Sequence, residues 1–396
     1  MTAMRVAVVA ESFLPTVNGV TNSVCRVLEH LERHGHEGLV ICPGPAPESY
    51  ASAPVREVTA FSYRQFPVGL PTAHVTQALA EFEPDVVHVA APFVLGAYGL
   101  TACERLDLPT VAVYQTDMAG FAARHGFGLA SKGVWRWLRR VHEMADLTLA
   151  PSRAAAADLR ANKVPRVRLW GRGVDTELFA PSRREGAAAQ ALRARLAPGG
   201  EVLVGYVGRL FAEKRVERLV ALTGVPGLRL VLVGDGPSRT ALEKSLAEAG
   251  VPATFLGHLG GEALADAYAA LDVFVHTGTE ETFGQTLQEA MASRVPVVAP
   301  DVGGPRDIVQ VGVTGLRYDG EDDGQMRRQV AALVADPALR ERMGEAGRRA
   351  VLSRSWDAVC TQLLGHYDDA RRMHPTTPRR TVLDLSSMSG PDLLPR

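Results

Sequence analysis

The chain has 396 residues, 46% of them hydrophobic and 22% charged, with a formal net charge of −1. That length suggests two or three domains, each with its own core, and the near-neutral balance excludes a molecule that binds polyanions such as nucleic acid across its surface. Cys25, Cys42, Cys103 and Cys360 are scattered, with no C-x-x-C or Cys/His cluster, which argues against a zinc site or disulfide framework and fits a reducing cytoplasm.

The opening MTAMRVAVVAESF has too short an apolar run for a signal peptide, and no apolar run reaches membrane-spanning length. Arg5 to Ala10 reads as a buried strand and Glu11 to Gly19 as a loop with the turn pair Asn18-Gly19. From Val20 to His34 the apolar residues Val24, Val27, Leu28 and Leu31 fall at helical spacing. A strand, glycine loop and helix in that order can cradle phosphate, although no G-x-G-x-x-G is present and a loop glycine is more often only a turn.

Strand-like runs recur at Leu39 to Cys42, Val86 to Val89, Thr110 to Tyr114, Leu147 to Ala150 and Val167 to Trp170, with helical patterns between several of them. The alternation predicts an α/β fold with parallel sheets covered on both faces, ligands binding at the carboxyl ends of the strands. Gln115-Thr116-Asp117 leaves one such end. A neutral Gln115 cannot act as a general base, so proton transfer falls to Asp117, His125, His88 or a departing phosphate. His88, inside a strand, reads as a hydrogen-bonded core residue, and the loop-tip carboxylate of Asp117 as functional.

Lys132 to Ala145 carries an apolar stripe, Val134, Leu138, Val141 and Ala145, and a basic one, Arg136, Arg139 and Arg140. It reads either as a core-packed helix with a solvated basic face or as a helix at a membrane surface, with Trp135 and Trp137 at headgroup level.

A linker with an Ala/Arg-rich helix is expected over Ala180 to Gly200, and Val202 to Val207 opens a second sheet. Gly208-Arg209 closes that strand before a helix expected near Lys214. Arg209 reads either as a surface partner of Glu213 or, with Lys214, as a cation for a diphosphate. Strands follow at Leu228 to Val233 and Thr254 to Gly257, with loops Gly234-Asp235-Gly236-Pro237 and His258-Leu259.

Leu271 to His276 is the next apolar run, and Thr277 to Asp307 follows as TGTEETFGQTLQEAMASRVPVVAPDVGGPRD. Glu281 is expected in a polar loop, with Thr282 or Phe283 opening a helix to Ala292 and Gly284 admitting a ligand to the backbone. Unpaired N–H groups and the dipole at that helix start favour an anion. Glu289, eight positions after Glu281, would lie roughly 12 Å along the helix axis, about the sugar-to-ribose separation of a nucleotide diphospho-sugar. The plainer reading of two such carboxylates is that they cap the helix. Gly303 and Gly304 permit close backbone approach, helical patterns run on to Leu352, and Pro375 to Arg396 reads as a disordered tail.

The run E-x-FG-x4-EA with PVV and GGP resembles the signature of retaining GT-B glycosyltransferases of family four, and the similarity covers nearly the whole chain. The resemblance implies two Rossmann-like domains with parallel sheets facing across a cleft. Residues 1–178, with a returning helix at 353–374, would form the acceptor domain and 179–352 the nucleotide-sugar domain, leaving 375–396 as the tail. It assigns Arg209, Lys214, Glu281 and Asp117 to catalysis. Gly19, Gly234, Gly236, His258, Thr282, Phe283, Gly284 and Glu289 would join the first three around the donor, and Asn18, Gln115, Asp117 and His125 would lie on the acceptor side. Many relatives carry His at the place of Gln115, and Asp307 stands where relatives usually have Glu.

PTVNGV and the connector WGRGVD at Trp170 to Asp175 most resemble the lipid-glycosylating branch. This implies GDP-mannose as donor and a lipid or glycolipid acceptor at a peripheral site on the cytoplasmic membrane face. No D-x-D pair occurs, and neither a metal nor another cofactor is expected. UDP-sugar donors, a sugar-nucleotide epimerase and a two-lobed solute-binding module are the alternatives.

Overall fold

The computed structural model describes residues 3–63, 66–70, 73–115 and 131–375. Two compact units emerge. One takes the chain to Pro151, Ala155–Trp170 and the described residues from Cys360 on; the other takes Ser152–Ala154 and Gly171–Val359. Residue 178, the boundary expected from the sequence, falls later than this division. The reason is local: Val174 bridges to Ser355 and Phe179 packs edge-on against Tyr268, all within the second unit.

The first unit is built on an eight-stranded sheet, β1 (Arg5–Ala10), β2 (Glu37–Pro43), β3 (Ser49–Tyr50), β4 (Ala53–Val58), β7 (Val86–Ala90), β8 (Thr110–Val113), β9 (Leu147–Ala150) and β10 (Val167–Leu169), in the order β10-β9-β8-β7-β1-β2-β4-β3. Every pairing is parallel except that of β3 with β4. The central strands are buried along their whole length, as expected where helices cover both faces. β5 (Ala60–Tyr63) and β6 (Phe66–Gly69) form a separate hairpin. The sequence reading passed over β3 to β6, which are short or lie at the edge.

The helix Gly19–Arg33 begins within a residue of expectation, because Asn18 caps it: its Oδ1 accepts from Val20 N at 2.9 Å and Thr21 N at 3.0 Å. In the helix Ser131–Met144, Leu138 and Val141 are buried. Trp137 meets Phe93 edge-on at 5.6 Å and Trp135 stacks on Tyr114. Both rings are thus committed to packing within this unit, while Lys132, Arg136 and Arg140 stay exposed. His88 is a core residue: 1% exposed, it meets the Tyr367 hydroxyl at 2.7 Å, and burial pushes its pKa down to about 3.

The second unit has six parallel strands, β11 (Val202–Val207), β12 (Leu228–Val233), β13 (Ala253–Gly257), β14 (Val273–Val275), β15 (Val297–Pro300) and β16 (Gly315–Tyr318), in the order β13-β12-β11-β14-β15-β16. Neighbouring residues of β11 serve opposite faces. Leu203 joins one apolar cluster with Phe274, Leu287 and Val297, and Val204 joins another with Leu230, Val273 and Val298. The arginine-rich linker helix Ala187–Leu196 is pinned to the sheet. Arg184 and Arg193 both pair with Asp272, at 2.6 and 2.8 Å, and donate to the Ala269, Ala270 and Leu271 carbonyls. Those carbonyls end the helix Gly261–Ala270, where cations offset the orphan acceptors.

Both sheets reverse strand order beside their first strand, between β1 and β7 and between β11 and β14. Open α/β sheets bind ligands at such points, beyond the carboxyl ends of the strands.

Candidate active site

In the first unit the switch point is occupied by the chain's own carboxylate. Glu11 follows β1, and its Oε1 accepts from Phe93 N at 3.0 Å and Gly96 N at 2.8 Å, at the start of the helix Val94–Leu106. Burial raises its pKa to about 7 even so. Asn18 also points into the fold, donating to Ser12 Oγ at 2.8 Å besides capping the next helix. Gly19 is simply that helix's first residue. Gln115 is buried at the end of β8. Asp117 and His125 lie outside the described residues, as does the tail from residue 376.

In the second unit the exits of β11 and β14 meet. Lys214 Nζ lies 2.8 Å from Glu281 Oε2, and His276 Nε2 lies 3.7 Å from the same oxygen. Burial raises the carboxyl pKa of Glu281, but Lys214, His276 and Arg172 outweigh it and hold the pKa at about 2, so the group stays ionised. Lys214 is braced through its carbonyl, which accepts from Thr277 Oγ1 at 2.7 Å. Next to it, Arg215 has a left-handed φ of 52° and reaches Thr279 Oγ1 at 3.2 Å and both Glu321 oxygens.

The loop that carries Glu281 is shaped by Gly303-Gly304. Gly304 N donates to Glu281 O at 2.8 Å, and a Cβ at Gly304 would lie 2.2 Å from Phe283 O. This close approach keeps residues 281–283 in a non-helical, bent loop, and Gly284, at φ 106°, turns the chain into the helix Gln285–Ala292. The expected helix start at Thr282 or Phe283 is therefore too early. The helical rise consequently does not measure the distance from Glu281 to Glu289. Phe283 is a buried core side chain, and Thr282 sits half-buried in the loop. Glu289, on the helix, pairs with the Tyr268 hydroxyl at 3.0 Å. Burial raises its pKa to about 7, while that bond and one from Gln285 lower it.

Arg209 lies at the β11 exit, more than half exposed, paired with Glu213 at 3.0 Å and over the Phe211 ring. The helix expected at Lys214 proves to be two short 3-10 segments, Ala212–Lys214 and Val216–Leu222, split by the left-handed Arg215. Gly234 and Gly236 have positive φ, and added Cβ atoms would lie 2.0 Å from Gly208 O and 2.4 Å from Leu210 O. Their role here is to let the β11 and β12 exit loops stack. His258 is exposed in the β13 exit loop.

Nothing in the sequence alone singles out Arg172, within WGRGVD, or His276, at the end of an apolar run. Their importance comes from topology. Gln288 Nε2 donates to Arg172 O at 2.9 Å and Gln285 Nε2 to Gly173 O at 3.0 Å, so the connector lies against the helix that bears Glu289.

Residues 17–178 match the family model described as Glycosyltransferase Family 4, and residues 189–350 match Glycosyl transferases group 1. A GDP-mannose-dependent alpha-mannosyltransferase of Mycolicibacterium smegmatis is 50% identical over 92% of this chain and 97% of its own length. The chain belongs to the family 4 glycosyltransferases. A second relative, from Corynebacterium glutamicum and of the same description, is 42% identical over 95% of this chain and 91% of its own. The fold matches solved GT-B structures. Anabaena HepE in complex with UDP and glucose has a TM-score of 0.76 at 18% identity, covering 92% of this chain and all of that one. WaaG, a glycosyltransferase involved in lipopolysaccharide biosynthesis, has a TM-score of 0.67 at 18% identity, covering 94% and 100%. Membership in this family makes the chain a glycosyltransferase and removes the epimerase and binding-module alternatives.

Proposed function

We propose that this transferase moves mannose from GDP-mannose to a lipid or glycolipid acceptor with retention of anomeric configuration. The observation that carries the reading is the Lys214–Glu281 pair at the switch point of the second sheet, in a chain that matches GDP-mannose-dependent alpha-mannosyltransferases over nearly its whole length. Lys214 and Arg209 are the cations for the diphosphate, which they can neutralise as donors aimed at developing charge. Glu281, ionised at neutral pH, accepts from sugar hydroxyls, and Glu289 accepts from the ribose. Gly234, Gly236 and His258 border the nucleotide.

As the bond from the sugar C1 to the phosphate oxygen breaks, its electron pair leaves with GDP. The acceptor oxygen bonds to C1 on the same face, and its proton passes to the departing phosphate oxygen. Asp117, His125, Gln115 and Asn18 hold the acceptor. The exposed Lys132, Arg136 and Arg140 support contact with an anionic membrane face on the cytoplasmic side. The similarity to alpha-monoglucosyldiacylglycerol synthase of Acholeplasma laidlawii, 26% identical over 74% of the chain, supports a lipid acceptor.

The test is nucleoside diphosphate release from a panel of GDP- and UDP-sugars, with and without extracted membrane lipid. Lipid-stimulated release from GDP-mannose, lost in Glu281→Gln, is expected. Release confined to a UDP-sugar overturns the donor, and release indifferent to lipid overturns the acceptor.

A further inference from the structure

Beside the Lys214–Glu281 pair sits the buried imidazole of His276. His276 directly follows β14, and its backbone is fixed on both sides: its N–H donates to Val298 O at 2.8 Å and its carbonyl accepts from the Tyr318 hydroxyl at 2.9 Å. The side chain is 4% exposed, and neither ring nitrogen is within hydrogen-bonding geometry of a partner. A buried polar group left this way costs stability unless another state uses it. The carboxylate beside the ring is Glu281, whose Oε2 lies 3.7 Å from Nε2 and is held by Lys214 at 2.8 Å.

On the donor reading proposed above, Lys214 faces a diphosphate when the donor is bound, and its hold on Glu281 is then shared with phosphate oxygens. We infer that His276 is a positioning residue: through an Nε2–H bond it takes Glu281 as Lys214 engages the diphosphate, and so keeps the carboxylate aimed at the sugar. Closing from 3.7 Å to a hydrogen bond of about 2.9 Å needs a carboxylate shift of less than about 1 Å. The groups facing the ring are Glu281 and Lys214, with the Gly278 backbone beside it as a weak acceptor that favours the protonated ring. Burial keeps the imidazole neutral, with its pKa pushed down to about 4, so donation from a neutral tautomer needs no proton uptake.

The test exploits side-chain geometry, because Gln places an amide N–H where His has Nε2–H, whereas Asn places one near Nδ1 and Phe has none. His276→Gln should keep kcat within a few-fold of wild type. His276→Asn and His276→Phe should each lose about 10- to 100-fold in kcat, the worth of one hydrogen bond to a charged group, with KM for the donor nearly unchanged. Equal losses in all three variants, or full kcat in His276→Phe, would overturn the inference. A second readout needs no turnover. In spectra of 15N-histidine-labelled protein, the His276 Nε2 signal, assigned by its absence in His276→Gln, should shift on saturation with GDP or UDP and stay put in Glu281→Leu, which leaves no acceptor. A signal that neither nucleotide moves overturns the positioning role, while the donor panel judges the choice of GDP-mannose separately.

Discussion

Glu289 offers a test in which stability and function move in opposite directions. Its carboxyl is raised from 4.5 to about 7, first by burial and against the lowering effect of bonds from Tyr268 and Gln285. A folded pKa above the unfolded one means that the folded state binds the proton more tightly. The associated stability is complete below about pH 4.5 and disappears as pH rises through 7. At 1.36 kcal/mol per pKa unit the full cost of ionisation above pH 7 is about 3 kcal/mol, and solvent at this partly exposed side chain trims it to about 2 kcal/mol. Glu289→Gln keeps an acceptor for Tyr268 and carries no charge at any pH. Its domain should therefore melt about 4–8 °C above wild type at pH 8.5, at roughly 2–4 °C per kcal/mol, and close to wild type at pH 5. Melting curves at the two pH values measure this directly. The same variant should bind nucleoside diphosphate more weakly, and the wild-type kcat/KM for the donor should rise with pH through about 7 as the ribose acceptor ionises. An equal Tm difference at both pH values, or a variant less stable than wild type at pH 8.5, would refute the reasoning.

Lys214→Met leaves Glu281 without its cation and should cost about 3 kcal/mol of stability. Lys214→Met with Glu281→Gln should recover most of that loss, which denaturant unfolding of the four proteins in the cycle would show. Gly304→Ala should reduce turnover at least about tenfold with the fold kept, because its Cβ meets backbone at 2.2 Å and displaces the Glu281 loop; unchanged kcat would show that the loop tolerates the shift. Asp272→Ala removes the partner shared by Arg184, Arg193 and the Leu203 N–H, which donates at 2.9 Å. A loss of about 2–3 kcal/mol is expected by urea titration, with donor KM unaffected.

The central strands were readable because apolar runs such as Val202–Val207 and Leu228–Val233 are buried on both faces and carry no ambiguity of period. β3, β5 and β6 are only two to four residues long, and β4, APVREV, carries no such run. The helix at Gln285 starts later than its sequence suggests for a purely tertiary cause: the contacts of Gly303-Gly304 with Glu281 and Phe283 hold residues 281–283 in a bent loop. Glu281, Glu289 and Lys214 were singled out through the family resemblance, since spacing alone favours helix caps for the two carboxylates. Arg172, His276 and Glu11 were not, because Arg172 and His276 reach Glu281, and Glu11 reaches Phe93 N and Gly96 N, only once strand order is known. The tryptophans of the helix Ser131–Met144 show the converse. Their amphipathic pattern suits a membrane surface, yet their rings pack on Phe93 and Tyr114.

The most direct test of the donor site is a crystal structure of the protein with a non-transferable GDP-mannose analogue. The account predicts diphosphate oxygens within hydrogen-bond reach of Lys214 Nζ and the Arg209 guanidinium, ribose hydroxyls on Glu289, and a mannose hydroxyl on Glu281 with His276 Nε2 closed onto the same carboxylate. A nucleotide seated away from the exits of β11 and β14, or a Lys214–Glu281 pair unchanged beneath a bound diphosphate that neither residue touches, would contradict it.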